Sequence, residues 1–176
     1  MNMKTRDLAA IGLLAALICV AAPWKIPIGP IPITLATLTL YLAAAVLGTK
    51  RGLAAVSVYV ALGVVGLPVF SGFQGGAHVL FGPTGGYIIG YLPCAAAIGL
   101  TVEKARGRLW SYPVGMVIGT ILCYTCGTAW FVWQANTTVA HALAVCVLPF
   151  LPFDAVKVII ASAVAPVVRV RAARAM

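Results

Sequence analysis

The sequence predicts an all-α integral membrane protein of six transmembrane helices with both termini cytoplasmic, and three observations carry that expectation. Of its 176 residues, 62% are hydrophobic and only 9% charged, where an ordinary soluble domain is about 25% charged. The apolar runs are long and continuous, without the polar alternation of a membrane β-strand, and in lipid such runs satisfy their backbone hydrogen bonds as helices. The basic residues sit in small groups at the ends of these runs and are shared very unequally between successive loops.

Between Pro, Gly and charged punctuation, the runs give spans at about 8–23, 31–48, 52–67, 84–102, 109–132 and 152–168 within a single membrane domain, 1–176. The first follows MNMKTRD, a start that resembles a signal peptide; reading it as a retained helix keeps the number of spans even. The second begins within PWKIPIGPIPIT, and the third follows Lys50 and Arg51. The fourth opens at Gly85 and Gly86, with Thr84 placed as an N-cap. The fifth follows Lys104, Arg106 and Arg108, and the sixth begins near Pro152, whose missing N–H has no partner to lose in a first helical turn. This arrangement gathers Lys4, Arg6, Lys50, Arg51, Lys104, Arg106, Arg108, Arg169, Arg171 and Arg174 on one side and leaves Lys25 alone on the other. Cytoplasmic loops carry such an excess of Lys and Arg, so both termini are expected inside. Trp24, Trp110, Trp130 and Trp133 fall at span ends, where indole rings prefer to sit.

Several function classes drop out. The net charge of +9 is dispersed over short loops and forms no long basic arm, which argues against nucleic acid. Five cysteines imply no disulfide framework, and the CYTC spacing of Cys123 and Cys126 lacks a second pair, so packing is the simpler reading than zinc or redox chemistry. GPTGGY lacks the Lys-Ser/Thr ending of a phosphate loop. His78 and His141 lie in different loops, and NTT at Asn136 matches a glycosylation sequon that says little alone. No metal and no cofactor are expected.

The outward loops are long, nearly uncharged and rich in Gly, Pro and aromatic residues: PWKIPIGPIPIT, GLPVFSGFQGGAHVLFGPTGG and WQANTTVAHALAVCVLPFLPF. Loops of this length with little helical pattern tend to be functional. Non-helical backbone at membrane depth survives only when buried in protein or lining a cavity, so these loops are expected to fold over a cavity open to the outside.

Three acidic residues are present. Asp7 and Glu103 sit beside basic residues at span ends, whereas Asp154 is embedded, and an embedded charge costs roughly 2.5–3.5 kcal/mol on insertion scales. Asp154 falls in the opening turn of the sixth helix, where the helix dipole favours a carboxylate, and Lys157 at i+3 shares its face. Either the two neutralise each other and cap the helix, or Asp154 accepts N–H donors from a ligand while Lys157 offers a cation to a carbonyl or anionic group. On the first helix, Ala9, Gly12, Ala16 and Cys19 form a face of small residues, suited to packing inside the bundle or to docking on another membrane protein.

PITLATL in the second helix, GLPVFSGFQGG followed by GPTGGY, YTCGTAWF in the fifth helix and PFLPFDAVK at the start of the sixth resemble, in order and spacing over nearly the whole chain, the BioY family of biotin-specific substrate-binding (S) components of energy-coupling factor transporters. The resemblance implies capture of biotin from the outside by a protein of the bacterial cell membrane, an integral T component and two ATPase subunits as partners, and docking through Ala9, Gly12 and Ala16. It also implies that Asp154 and Lys157 belong to the biotin site, with Gln74 and Tyr87 next to them; Phe73, Tyr124 and Trp130 are candidate apolar walls. Family patterns often carry Gln where this chain has Ala36, so no direct ligand hydrogen bond is assigned to the second helix. The chain has no phosphate loop, so ATP-driven uptake would need separate ATPases. The alternatives are a solitary or ion-coupled small-solute carrier relaying protons or sodium through Asp154 and Lys157, and an intramembrane enzyme, which a single embedded carboxylate serves poorly.

Overall fold

The computed structural model describes residues 5–27 and 31–175, with side chains as far as 172; Lys4, residues 28–30 and the side chain of Arg174 lie outside the described residues. Seven α-helices follow in order: α1 (Thr5–Ala21), α2 (Ala36–Leu47), α3 (Thr49–Val65), α4 (Gly85–Lys104), α5 (Ser111–Ala135), α6 (Val139–Cys146) and α7 (Leu151–Ala175). Among the described residues, α4, α5 and Leu151–Ala172 of α7 are long and apolar enough to cross a bilayer, and α2 is a shorter apolar helix.

Two departures from the sequence expectation have local causes. The run expected to be helical from 31 enters its helix only at Ala36, and Pro32 disfavours helix at Ile31. Ile33–Thr34 (β2) instead pairs antiparallel with Lys25–Ile26 (β1), and the Thr34 hydroxyl accepts the Ala36 N–H at 3.3 Å. The third long loop, expected to be irregular, contains α6. Thr138 caps it by accepting the His141 N–H at 3.3 Å, and Ala142 and Cys146, one turn apart, are its buried positions. Thr84 does sit at the start of α4, but its hydroxyl makes no capping bond.

At one end of the bundle the polar contacts are between helix termini. Glu103 accepts the Thr49 N–H at 3.0 Å and its hydroxyl at 2.5 Å, placing a carboxylate at the N-terminus of α3. Nearby Arg51 pairs with Asp7 at 3.2 Å, and Arg169 donates to the Ala45 carbonyl at 2.9 Å. At the other end the chain forms a cover. The Gly72 N–H donates to the Pro23 carbonyl at 2.8 Å, and the Trp130 indole N–H to the Gly82 carbonyl at 3.0 Å. Between the ends, α2 is buried on nearly all sides, with Leu40, Tyr41, Ala43, Ala44 and Ala45 all inaccessible, as expected of a helix that is apolar all round. The small-residue face of α1 divides: Ala9, Gly12 and Ala16 are exposed, whereas Cys19 is half-buried against the core, and α1 buries Asp7, Ile11, Ala15 and Ile18.

Candidate ligand-binding site

Beneath the cover lies a cavity of about 280 Å³, close to the lower bound of roughly 300–1,000 Å³ for small-molecule sites. Its floor is built by the opening turn of α7. Phe150, buried at 6%, and the hydrogen bond from the Asp154 N–H to the Phe150 carbonyl at 2.8 Å fix where that helix starts. Asp154 in the first turn and Lys157 one turn on consequently project from the same face, both buried, with Lys157 Nζ 2.8 Å from Asp154 Oδ1.

Two further elements hold the pair. The Tyr124 hydroxyl on α5 donates to Asp154 Oδ2, and Lys157 Nζ donates to the Thr37 hydroxyl on α2 at 2.9 Å. The helix N-terminus favours the carboxylate, and the ammonium beside it offsets the cost of bringing either charge out of water. A carboxylate has about four acceptor positions and an ammonium three donors. With two taken on each group by the bonds just described, Asp154 retains acceptor capacity and Lys157 one N–H.

Tyr87 forms a wall. It is 8% exposed, and its hydroxyl donates to the Cys146 carbonyl at 3.2 Å, tying α4 to the end of α6. Its ring lies flat against α5 because Gly127 leaves room; a Cβ on Gly127 would come within 2.4 Å of ring atoms. Tyr91, Ile88, Cys123 and Phe70 complete the apolar lining, and Phe70 is held edge-on by Tyr59 with ring centres 5.7 Å apart. At the mouth, Lys25, Ser71 and Gln74 face the cavity from the loops.

The structure therefore brings Asp154, Lys157, Tyr124, Tyr87 and Gln74 to one cavity, and it does not bring Phe73 or Trp130. Phe73 is exposed and stacks edge-on against Trp24 at 5.7 Å, while Trp130 packs on Trp133 at 5.2 Å in a separate surface groove with Gly86. Sequence reasoning missed Thr37, Thr34, Ser71, Lys25 and Tyr91 as cavity residues. Thr37 lies one residue beyond Ala36, so the second helix contributes a polar group one position away from the one weighed in the sequence. Tyr91 was findable from Tyr87, since the two are i and i+4 on the same helix face.

A multi-pass membrane protein with a loop-covered cavity, an apolar wall and a few convergent polar groups is a small-solute binding component of a transport system. Comparison with known proteins makes the assignment specific: the BioY family model matches residues 1–174, and the chain belongs to the BioY family. It is 42% identical over 160 residues to the biotin transporter BioY of Thermotoga maritima, covering 91% of this chain and 94% of that protein. It is 40% identical to the biotin transporter BioY of Rhodobacter capsulatus over 91% of each chain. Its fold superposes with a TM-score of 0.88 on the crystal structure of an S-component for biotin from an ECF-type ABC transporter, at 29% identity and covering 96% of this chain and 95% of that one.

Proposed function

We propose that this protein captures biotin at the outer face of a bacterial cell membrane, as the substrate-binding component of an uptake system whose energy comes from an integral T component and two ATPase subunits. The observation that carries the reading is the Asp154–Lys157 pair, which has spare acceptor capacity beside a spare donor at the bottom of a compact cavity. The cyclic urea of biotin presents an N–H and its C=O side by side, the complementary pattern. Asp154 accepts the N–H, Lys157 donates to the carbonyl, and Tyr124 and Thr37 hold both in register. The apolar walls from Tyr87, Tyr91 and Phe70 take the fused sulfur-containing ring. Bond making is not required of any of these groups, in keeping with a binding component.

Six membrane crossings with both termini cytoplasmic suit this reading. The end with Lys50, Arg51, Lys104, Arg106, Arg108 and Arg169 then faces the cytoplasm, and the covered cavity faces out. The exposed Ala9, Gly12 and Ala16 on α1 offer the close backbone approach that membrane helices use to associate, and serve as the contact for the T component. The test is calorimetric titration of biotin into the purified chain in detergent, beside Asp154→Ala. Binding by the parent, weakened by about 100-fold or more in a variant that still inserts and elutes as the parent does, is the expected result, because removing one partner of a buried hydrogen-bonded charge pair has effects of about 3 kcal/mol or more. Equal affinity in the two proteins would remove Asp154 from the site.

A further inference from the structure

The mouth of the cavity holds a cation without a counter-ion. Only three acidic residues exist in the chain, and each is engaged elsewhere: Asp7 with Arg51, Glu103 with Thr49, and Asp154 with Lys157 and Tyr124. Lys25 faces the cavity, and among the described residues it makes no salt bridge or side-chain hydrogen bond. The same cavity is lined by a residue with a second unused donor. Ser71 lines it, the Ser71 Oγ is shut off from solvent and has no hydrogen-bond partner, and a buried hydroxyl left unpaired requires an explanation.

The backbone brings these two donors together. Lys25 is held in β1 opposite Thr34, while Gly72 binds the Pro23 carbonyl two residues before Lys25. The Lys25 side chain crosses the bare face of Gly72, where a Cβ would come within 2.5 Å of Nζ. Gly72 and Phe73 have φ of +76° and +59°, so the chain turns sharply between Ser71 and Gln74. A phenylalanine in that conformation is strained, and its ring is stacked on Trp24, the residue before Lys25. The strained turn and the stacked rings clamp the loop that carries Ser71 to the loop that carries Lys25.

We propose that Lys25 and Ser71 form an anion subsite at the mouth of the cavity that receives the carboxylate of the ligand's side chain, making them specificity-determining residues for the free acid. The inference rests on the biotin reading, in which the urea is held on the floor and the valerate tail runs toward the loops. It assigns the two ends of the molecule to separate polar groups, with the apolar lining between them. An ammonium and a hydroxyl donate to one carboxylate without leaving any buried acceptor unpaired.

The test compares biotin with biotinamide, which is neutral at the same end, on the parent, Lys25→Ala and Lys25→Arg in detergent. The parent is expected to prefer biotin by about 10-fold or more, the effect of one charge-assisted hydrogen bond in a partly wet site. Lys25→Ala is expected to bind both compounds alike, and Lys25→Arg to retain the preference. Since Lys25 is exposed and the readout is a ratio of two affinities for one preparation, a loss of folded protein cannot imitate the effect. A parent that binds biotin and biotinamide equally, or a Lys25→Ala variant that keeps the full preference, overturns the subsite while leaving the biotin assignment standing. A parent that binds neither overturns the biotin assignment, and the subsite with it.

Discussion

The floor and the mouth of the cavity are both polar, yet they are built on opposite plans. On the floor, Asp154, Lys157, Tyr124 and Thr37 are bonded to one another from three different helices, so the arrangement holds itself in place before any ligand arrives. At the mouth, Lys25 and Ser71 point at the cavity without partners, on loops joined by a backbone hydrogen bond and a pair of stacked rings. For the charges, the difference follows from solvent access. One on the floor has no water to fall back on and needs permanent partners, whereas the exposed Lys25 is hydrated until a ligand displaces the water. A floor organised in advance costs little ordering when the ligand binds.

The largest test of this contrast is to break the floor. Lys157→Met leaves the Asp154 carboxylate buried with only Tyr124, and is expected to destabilise the protein by about 3–5 kcal/mol, read as a lower midpoint of thermal unfolding in detergent without ligand. The double variant Asp154→Asn with Lys157→Met removes both charges and should recover much of that stability without recovering biotin binding. A single variant as stable as the parent would show that water reaches the pair freely, and the contrast between floor and mouth would collapse.

The floor was also the part legible in the sequence. A carboxylate in the opening turn after a proline and an ammonium at i+3 share one helix face, and in an apolar chain that pairing identifies the site. Tyr87 and Gln74 reached the same cavity by resemblance to the BioY family. The partners Thr37 and Tyr124 come from other helices, and a sequence gives the face of each helix but not which faces meet. Of the three aromatic residues expected as cavity walls, Tyr124 lines the cavity, whereas Phe73 and Trp130 pack on neighbouring rings outside it. Helix α6 was hidden because it is only eight residues long, although a threonine cap and the spacing of Ala142 and Cys146 were present to be read. The mouth was the least legible part. Lys25 is brought beside Ser71 by a strand pairing of two residues and a turn with positive φ, neither of which leaves a periodic pattern.

A smaller change sharpens the account of the floor. Tyr124→Phe keeps the ring and deletes only the hydroxyl that donates to Asp154. Because Lys157 still holds the other carboxylate oxygen, stability should fall by only about 1 kcal/mol, and biotin affinity by about 10-fold as the carboxylate gains freedom to turn. Calorimetric titration and thermal unfolding on one preparation separate the two effects. A loss of affinity as large as that of Asp154→Ala would give Tyr124 a direct contact with the ligand.

The smallest expected change distinguishes mouth from floor by its sign. Ser71 Oγ is buried without a partner, so the ligand-free protein bears the desolvation of that hydroxyl, about 1–3 kcal/mol for an unpaired group. Ser71→Ala removes the burden, and the unliganded protein should unfold at a slightly higher temperature than the parent. With biotin bound the hydroxyl has a carboxylate to donate to, and its loss should weaken binding by a few-fold. Biotin should therefore raise the unfolding temperature of Ser71→Ala by less than it raises that of the parent. Every floor substitution lowers both the ligand-free and the biotin-saturated unfolding temperature, because on the floor the same bonds support the fold and the ligand. If Ser71→Ala lowered both as well, its hydroxyl would be part of the folded framework, and the mouth would have to be counted as an extension of the floor.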